Sequence, residues 1–129
     1  MSIDWTKIHH FRRAEFENPE CLRWEMLEKL DRLRELCGFP FVITSTCRSP
    51  EHNKAIGGAP NSSHCRADDG MYSGVDFTVD GGSISPGQLF MIVKHAHEVG
   101  FRRIGLYSDM RHVHLDLEGR LNQDVLWID

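Results

Sequence analysis

The stretch Ile104-Gly105-Leu106-Tyr107-Ser108-Asp109-Met110-Arg111-His112-Val113-His114-Leu115-Asp116-Leu117 holds two apolar runs around a short polar turn. Runs joined this closely pair as an antiparallel hairpin, because parallel neighbours need a crossover of a dozen residues or more. Along a strand successive side chains point to opposite faces, so Val113, Leu115 and Leu117 share the core side. His112, His114 and Asp116 then share the other. The spacing leaves two readings open: a site built from two imidazoles and a carboxylate, or exposed polar residues on a half-buried strand.

Outward from the hairpin, the rest of the chain supplies helices and further strands. Asn18-Pro19-Glu20 reads as an N-cap, a first-turn proline and an early acid. Leu22, Met26, Leu30, Leu33 and Cys37 then recur at helical steps up to Gly38 and Pro40. Phe41-Val42-Ile43-Thr44-Ser45 is a short strand, and residues 48–67 form a long loop rich in Ser, Pro, Gly and Asn. Gly74–Val79 is a second strand, with Asp76 and Thr78 on one side and Val75, Phe77 and Val79 on the other. Ser85-Pro86 opens a helix with the stripe Leu89, Ile92, Val93, Ala96 and Val99, closed by Gly100; His95 and His97 are read as surface residues. Residues 1–17 read as an arm or short helix packed on the body, and Trp127 is expected to pack back on the sheet. This order predicts an α+β fold: a small, mostly antiparallel sheet with helices packed on one face.

At 129 residues the length suits one domain spanning 1–129 with a core of its own. The net charge of −4 and the lack of a basic cluster beyond Arg12-Arg13 and Arg102-Arg103 argue against a nucleic-acid partner. No apolar run reaches the roughly 18 residues that span a membrane. The start, Met1-Ser2-Ile3-Asp4-Trp5, lacks a basic segment leading into an apolar one, so cytoplasmic synthesis without a signal peptide is expected. The four cysteines, Cys21, Cys37, Cys47 and Cys65, form no Cys-x-x-Cys pair and suggest neither a zinc ribbon nor a disulfide scaffold.

Polar groups that could meet are His64 at the end of the loop, Asp76 on the second strand, and His112, His114 and Asp116 on the last. Two histidines and a carboxylate with an open fourth position make a first shell for catalytic zinc, which acidifies water and polarises carbonyls. Taken together, several segments resemble one family. Thr44-Ser45-Thr46-Cys47-Arg48-Ser49-Pro50-Glu51-His52-Asn53, Gly57-Gly58-Ala59-Pro60-Asn61-Ser62-Ser63-His64, Gly74-Val75-Asp76-Phe77, Ile104-Gly105-Leu106-Tyr107 and His112-Val113-His114-Leu115-Asp116 resemble, in order, the M15 zinc peptidases. These are D,D-carboxypeptidases and L-Ala–D-Glu endopeptidases that cut peptidoglycan stem peptides, many of them phage endolysins.

The resemblance implies a hedgehog/D,D-peptidase-like fold and one Zn2+ held by His64, Asp76 and His114. It places Arg48 towards the substrate, where a guanidinium fork suits a carboxylate or a developing oxyanion. Ser62 of the Ser-x-His element becomes a substrate-side hydroxyl, with a turn-capping role as the alternative. Two departures stand out. The family spaces its first histidine and its aspartate by seven positions; here 64 to 76 is twelve, which leaves five extra residues within 65–73. Position 71, where the usual spacing puts the carboxylate, is methionine, and Asp76 is preferred over Asp68 and Asp69 for its strand context. Cys65 is an outside candidate ligand.

The second departure is Arg111, which stands where many relatives carry an acid three residues before the last histidine. The proton-handling role therefore falls to His112 or Asp109, with Asp116 orienting an imidazole. The expected function is a zinc-dependent peptidase of peptidoglycan, monomeric, with no nucleic-acid or membrane partner, reaching the cell wall by phage-type release. The arginine at 111 keeps open a zinc-containing, peptidoglycan-binding module without catalysis. A non-haem iron oxygenase, suggested by His114-Leu115-Asp116, would need a later histidine, and none follows His114.

Overall fold

The structure is a computed structural model and describes residues 3–46 and 70–129. Helix α1, Trp24–Cys37, buries Met26, Leu27, Leu30 and Leu33 along one stripe. It ends at Gly38, whose φ of 76° is a left-handed conformation that glycine adopts without steric cost. Helix α2, Pro86–Val99, opens on a reciprocal capping box between Ser85 and Gln88 and closes at Gly100. Five strands complete the fold: β1, Phe41–Ser45; β2, Gly74–Val79; β3, Arg103–Leu106; β4, Val113–Asp116; and β5, Val125–Ile128.

The strands form one sheet in the order β1-β2-β4-β3-β5, antiparallel except for β5, which runs parallel to β3. Val75, Phe77 and Val79 of β2, Val113 and Leu115 of β4, and Ile104 of β3 join the buried helix stripes in one core. Phe41 stacks on Phe77 within it, ring centroids 4.3 Å apart. The alternation read from the hairpin thus holds: the apolar face meets the helices, and the opposite face carries Asp76, His114 and Asp116. No helix among the described residues is long and apolar enough to cross a membrane.

Three local expectations differ from what forms. The first helix does not begin at Asn18: residues Pro19–Cys21 make a 3-10 turn, and Asn18 is left-handed with no side-chain cap. Leu22 instead bridges Tyr72, with Tyr72 N–H donating to the Cys21 carbonyl and Arg23 N–H to the Tyr72 carbonyl. These extended pairings delay α1 to Trp24. His95 is not simply a surface residue, since its ring pairs with Glu98 at 2.6 Å and is largely covered. The segment after β4 does more than pack back, because it supplies the fifth strand.

The N-terminal arm is held by a buried carboxylate. Asp31 of α1 accepts the backbone N–H groups of His9 and His10, at 3.1 and 2.8 Å, while the His10 ring pairs with Glu35. Phe11 and Phe16 then enter the core. Hydrogen bonds to charged groups contribute about 1.5–3 kcal/mol, and Asp31→Ala orphans two donors at once. This substitution is expected to lower the unfolding free energy by about 2 kcal/mol in urea titrations. A loss below about 0.5 kcal/mol would show that the arm docks without the carboxylate.

Candidate metal centre

One row across the sheet builds the site. Asp76 of β2 is opposite His114 of β4, His114 is opposite Gly105 of β3, and Gly105 is opposite Trp127 of β5. Neighbouring strands lie about 4.7–4.9 Å apart, so short side chains in one row can touch. Asp76 Oδ1 lies 2.9 Å from His114 Nδ1, and Asp116 Oδ2 lies 2.7 Å from His114 Nε2. The other oxygen of Asp116 accepts from Arg103 Nε at 2.8 Å and from the Glu118 N–H at 2.9 Å. Arg103 also donates to the Asn122 carbonyl, and its guanidinium lies 5.0 Å from the centroid of the Trp127 ring.

The buried imidazole therefore has a carboxylate at each nitrogen. Burial on its own would lower the His114 pKa, but the hydrogen bonds and charges of Asp116 and Asp76 outweigh it and push the value up to about 9. Burial works in the other direction on Asp116. Its bonds to His114 and the Glu118 N–H, with the charges of His114 and Arg103, hold that carboxyl below the usual range all the same.

Such a ring is built to carry positive charge at Nδ1, either as a proton or as a metal ion. Asp76 Oδ1 and His114 Nδ1 are close enough to share one zinc at bonds of about 2.0–2.2 Å. Asp116 on Nε2 supplies the carboxylate that commonly fixes the tautomer of a metal-ligating histidine. Among the described residues no three His, Cys, Asp or Glu side chains form a complete shell. The remaining expected ligand, His64, lies outside the described residues, as do Arg48, Ser62, Cys65, Asp68 and Asp69.

The other expected site residues sit along the hairpin. His112 precedes β4, and its ring lies against Tyr107 with centroids 3.9 Å apart. Asp109 is exposed in the turn, where its Oδ1 accepts the Arg111 N–H at 3.0 Å. Thr78, two residues along β2 from Asp76, is the one described residue with a buried side-chain polar atom that lacks a hydrogen-bond partner. Arg103, Gly105 and Trp127 are site neighbours to which the sequence pattern assigns no site role: Gly105 reads as part of a strand and Trp127 as packing on the sheet. The hairpin register pairs Arg103 with Asp116 and Gly105 with His114, so the first two could have been found by counting outward from the turn.

A family model described as Peptidase M15 matches residues 5–116. The chain belongs to the M15 peptidase family. A comparison with curated proteins finds no match. M15 peptidases are generally zinc-dependent, in keeping with the pairing of Asp76 and His114. The M15 match ends at Asp116, so β5 and Trp127 lie beyond it.

Proposed function

We propose that this M15 peptidase is a zinc enzyme that hydrolyses an amide bond in peptidoglycan stem peptides, as a carboxypeptidase or an endopeptidase, and so lyses cell wall. The observation that carries the reading is Asp76 Oδ1 facing His114 Nδ1 at 2.9 Å while Asp116 occupies Nε2. His64, Asp76 and His114 would hold the ion. When bound, zinc supplies Lewis-acid polarisation of the scissile carbonyl and acidifies water.

The chain's own residues do the remainder. Asp116 accepts the hydrogen bond from His114 Nε2–H, which leaves the Nδ1 lone pair of His114 for the site. His112, just before β4 and seated on Tyr107, is the proton-handling group; Asp109, engaged with the turn, is its rival. By the family resemblance Arg48 engages a substrate carboxylate or carbonyl oxygen, and Ser62 supplies a substrate-side hydroxyl. Mass spectrometry of muropeptides after incubation with purified cell walls tests the proposal. New stem-peptide termini that vanish with a chelator are expected, and they identify the bond. Intact walls at high enzyme concentration, with zinc retained, would favour the non-catalytic binding module that Arg111 suggests.

A further inference from the structure

We infer that Trp127 and Arg103 are positioning residues for His114, and that β5, outside the family match, serves to clamp the metal ligand; the inference rests on the metal-centre reading above. The argument starts at Gly105. A Cβ built there would come 2.7 Å from Cζ2 and 2.8 Å from Cε2 of Trp127, closer than real contacts allow. The indole therefore fills the space that a side chain on β3 would take. From there it reaches two groups of the site: its ring is 5.6 Å from the His114 ring, centroid to centroid, and 5.0 Å from the Arg103 guanidinium.

The contacts form a connected set. Arg103, over the indole and bonded to the Asn122 carbonyl, donates from Nε to Asp116; Asp116 pairs with His114 Nε2; and the indole, across Gly105 from His114, lies tilted against the imidazole. Arg103 has little freedom to leave, since its side chain is only 11% exposed and that of Asp116 is fully buried. Cation–π contact and hydrogen bonding thus act on one guanidinium from two directions. Outer partners of this kind typically change metal affinity 10–100-fold when removed.

The test uses the full chain and the variants Trp127→Ala, Trp127→Phe, Arg103→Met and Gly105→Ala, the last displacing the indole without deleting it. Three quantities are read: the zinc Kd by chelator competition, the visible spectrum of the Co2+ form, and the downfield proton resonance of His114 Nε2–H in metal-free protein. Trp127→Ala, Arg103→Met and Gly105→Ala should each weaken zinc binding roughly 10–100-fold, shift the Co2+ bands and broaden the resonance, with Trp127→Phe recovering most of the loss. Folded Arg103→Met and Gly105→Ala with wild-type zinc affinity and an unchanged resonance would overturn the clamp. Should the wild-type chain bind no zinc, the metal-centre reading falls, and the clamp is decided by the resonance alone: lost in the variants it stands, retained it fails.

Discussion

Replacing His114 by alanine is expected to remove zinc and peptidase activity together. Metal-assisted water activation and carbonyl polarisation contribute several kcal/mol to the barrier, so turnover should fall by at least about a thousandfold. The fold should survive, because Asp116 keeps its bonds to Arg103 and the Glu118 N–H when the imidazole is gone. Metal analysis, wall-digestion assays and circular dichroism on one preparation check the three parts. A folded, metal-free variant with wild-type turnover would rule out His114 as a ligand of a catalytic ion.

The second large effect is one of pH. In the metal-free chain His114 is held protonated up to about 9, and zinc must displace that proton from Nδ1. Zinc affinity is therefore expected to fall about tenfold per pH unit below 9, or roughly a hundredfold between pH 8 and pH 6. Stability of the metal-free chain moves in the opposite direction. The folded-state value lies above the ordinary 6.5, so the stabilisation is complete below pH 6.5 and is lost as pH rises through about 9. Zinc titration across this range, with thermal melts of chelated protein, reads both trends. A zinc affinity flat from pH 6 to pH 8 would show that Nδ1 carries no proton to displace.

Much of this was legible because the informative residues lie in short, strongly patterned segments. The β4 alternation assigns Val113 and Leu115 to the core and His114 and Asp116 to the other face, and the Ser85 capping box and Gly100 bound α2 correctly. Asp76 and His114 are 38 residues apart in the chain, and it was the family resemblance rather than the spacing that joined them. The start of α1 was misplaced because Asn18-Pro19-Glu20 has helix-opening chemistry, whereas the pairing of Leu22 with Tyr72 is a tertiary contact with no local signature. The Val125–Ile128 strand was missed for a related reason. Four residues with Leu126 and Ile128 largely exposed give little periodicity, and their pairing with β3 is settled by contacts across the sheet.

The overlap at Gly105 has a consequence for sequence variation. A methyl group at position 105 and an indole at position 127 claim one volume, so the two positions amount to a single choice. A chain that keeps the tryptophan is obliged to keep glycine in the third strand, while a relative without a fifth strand is free to fill that place with a larger residue. In relatives that carry both strands the two positions are expected to vary together, small at the one where the other is an indole.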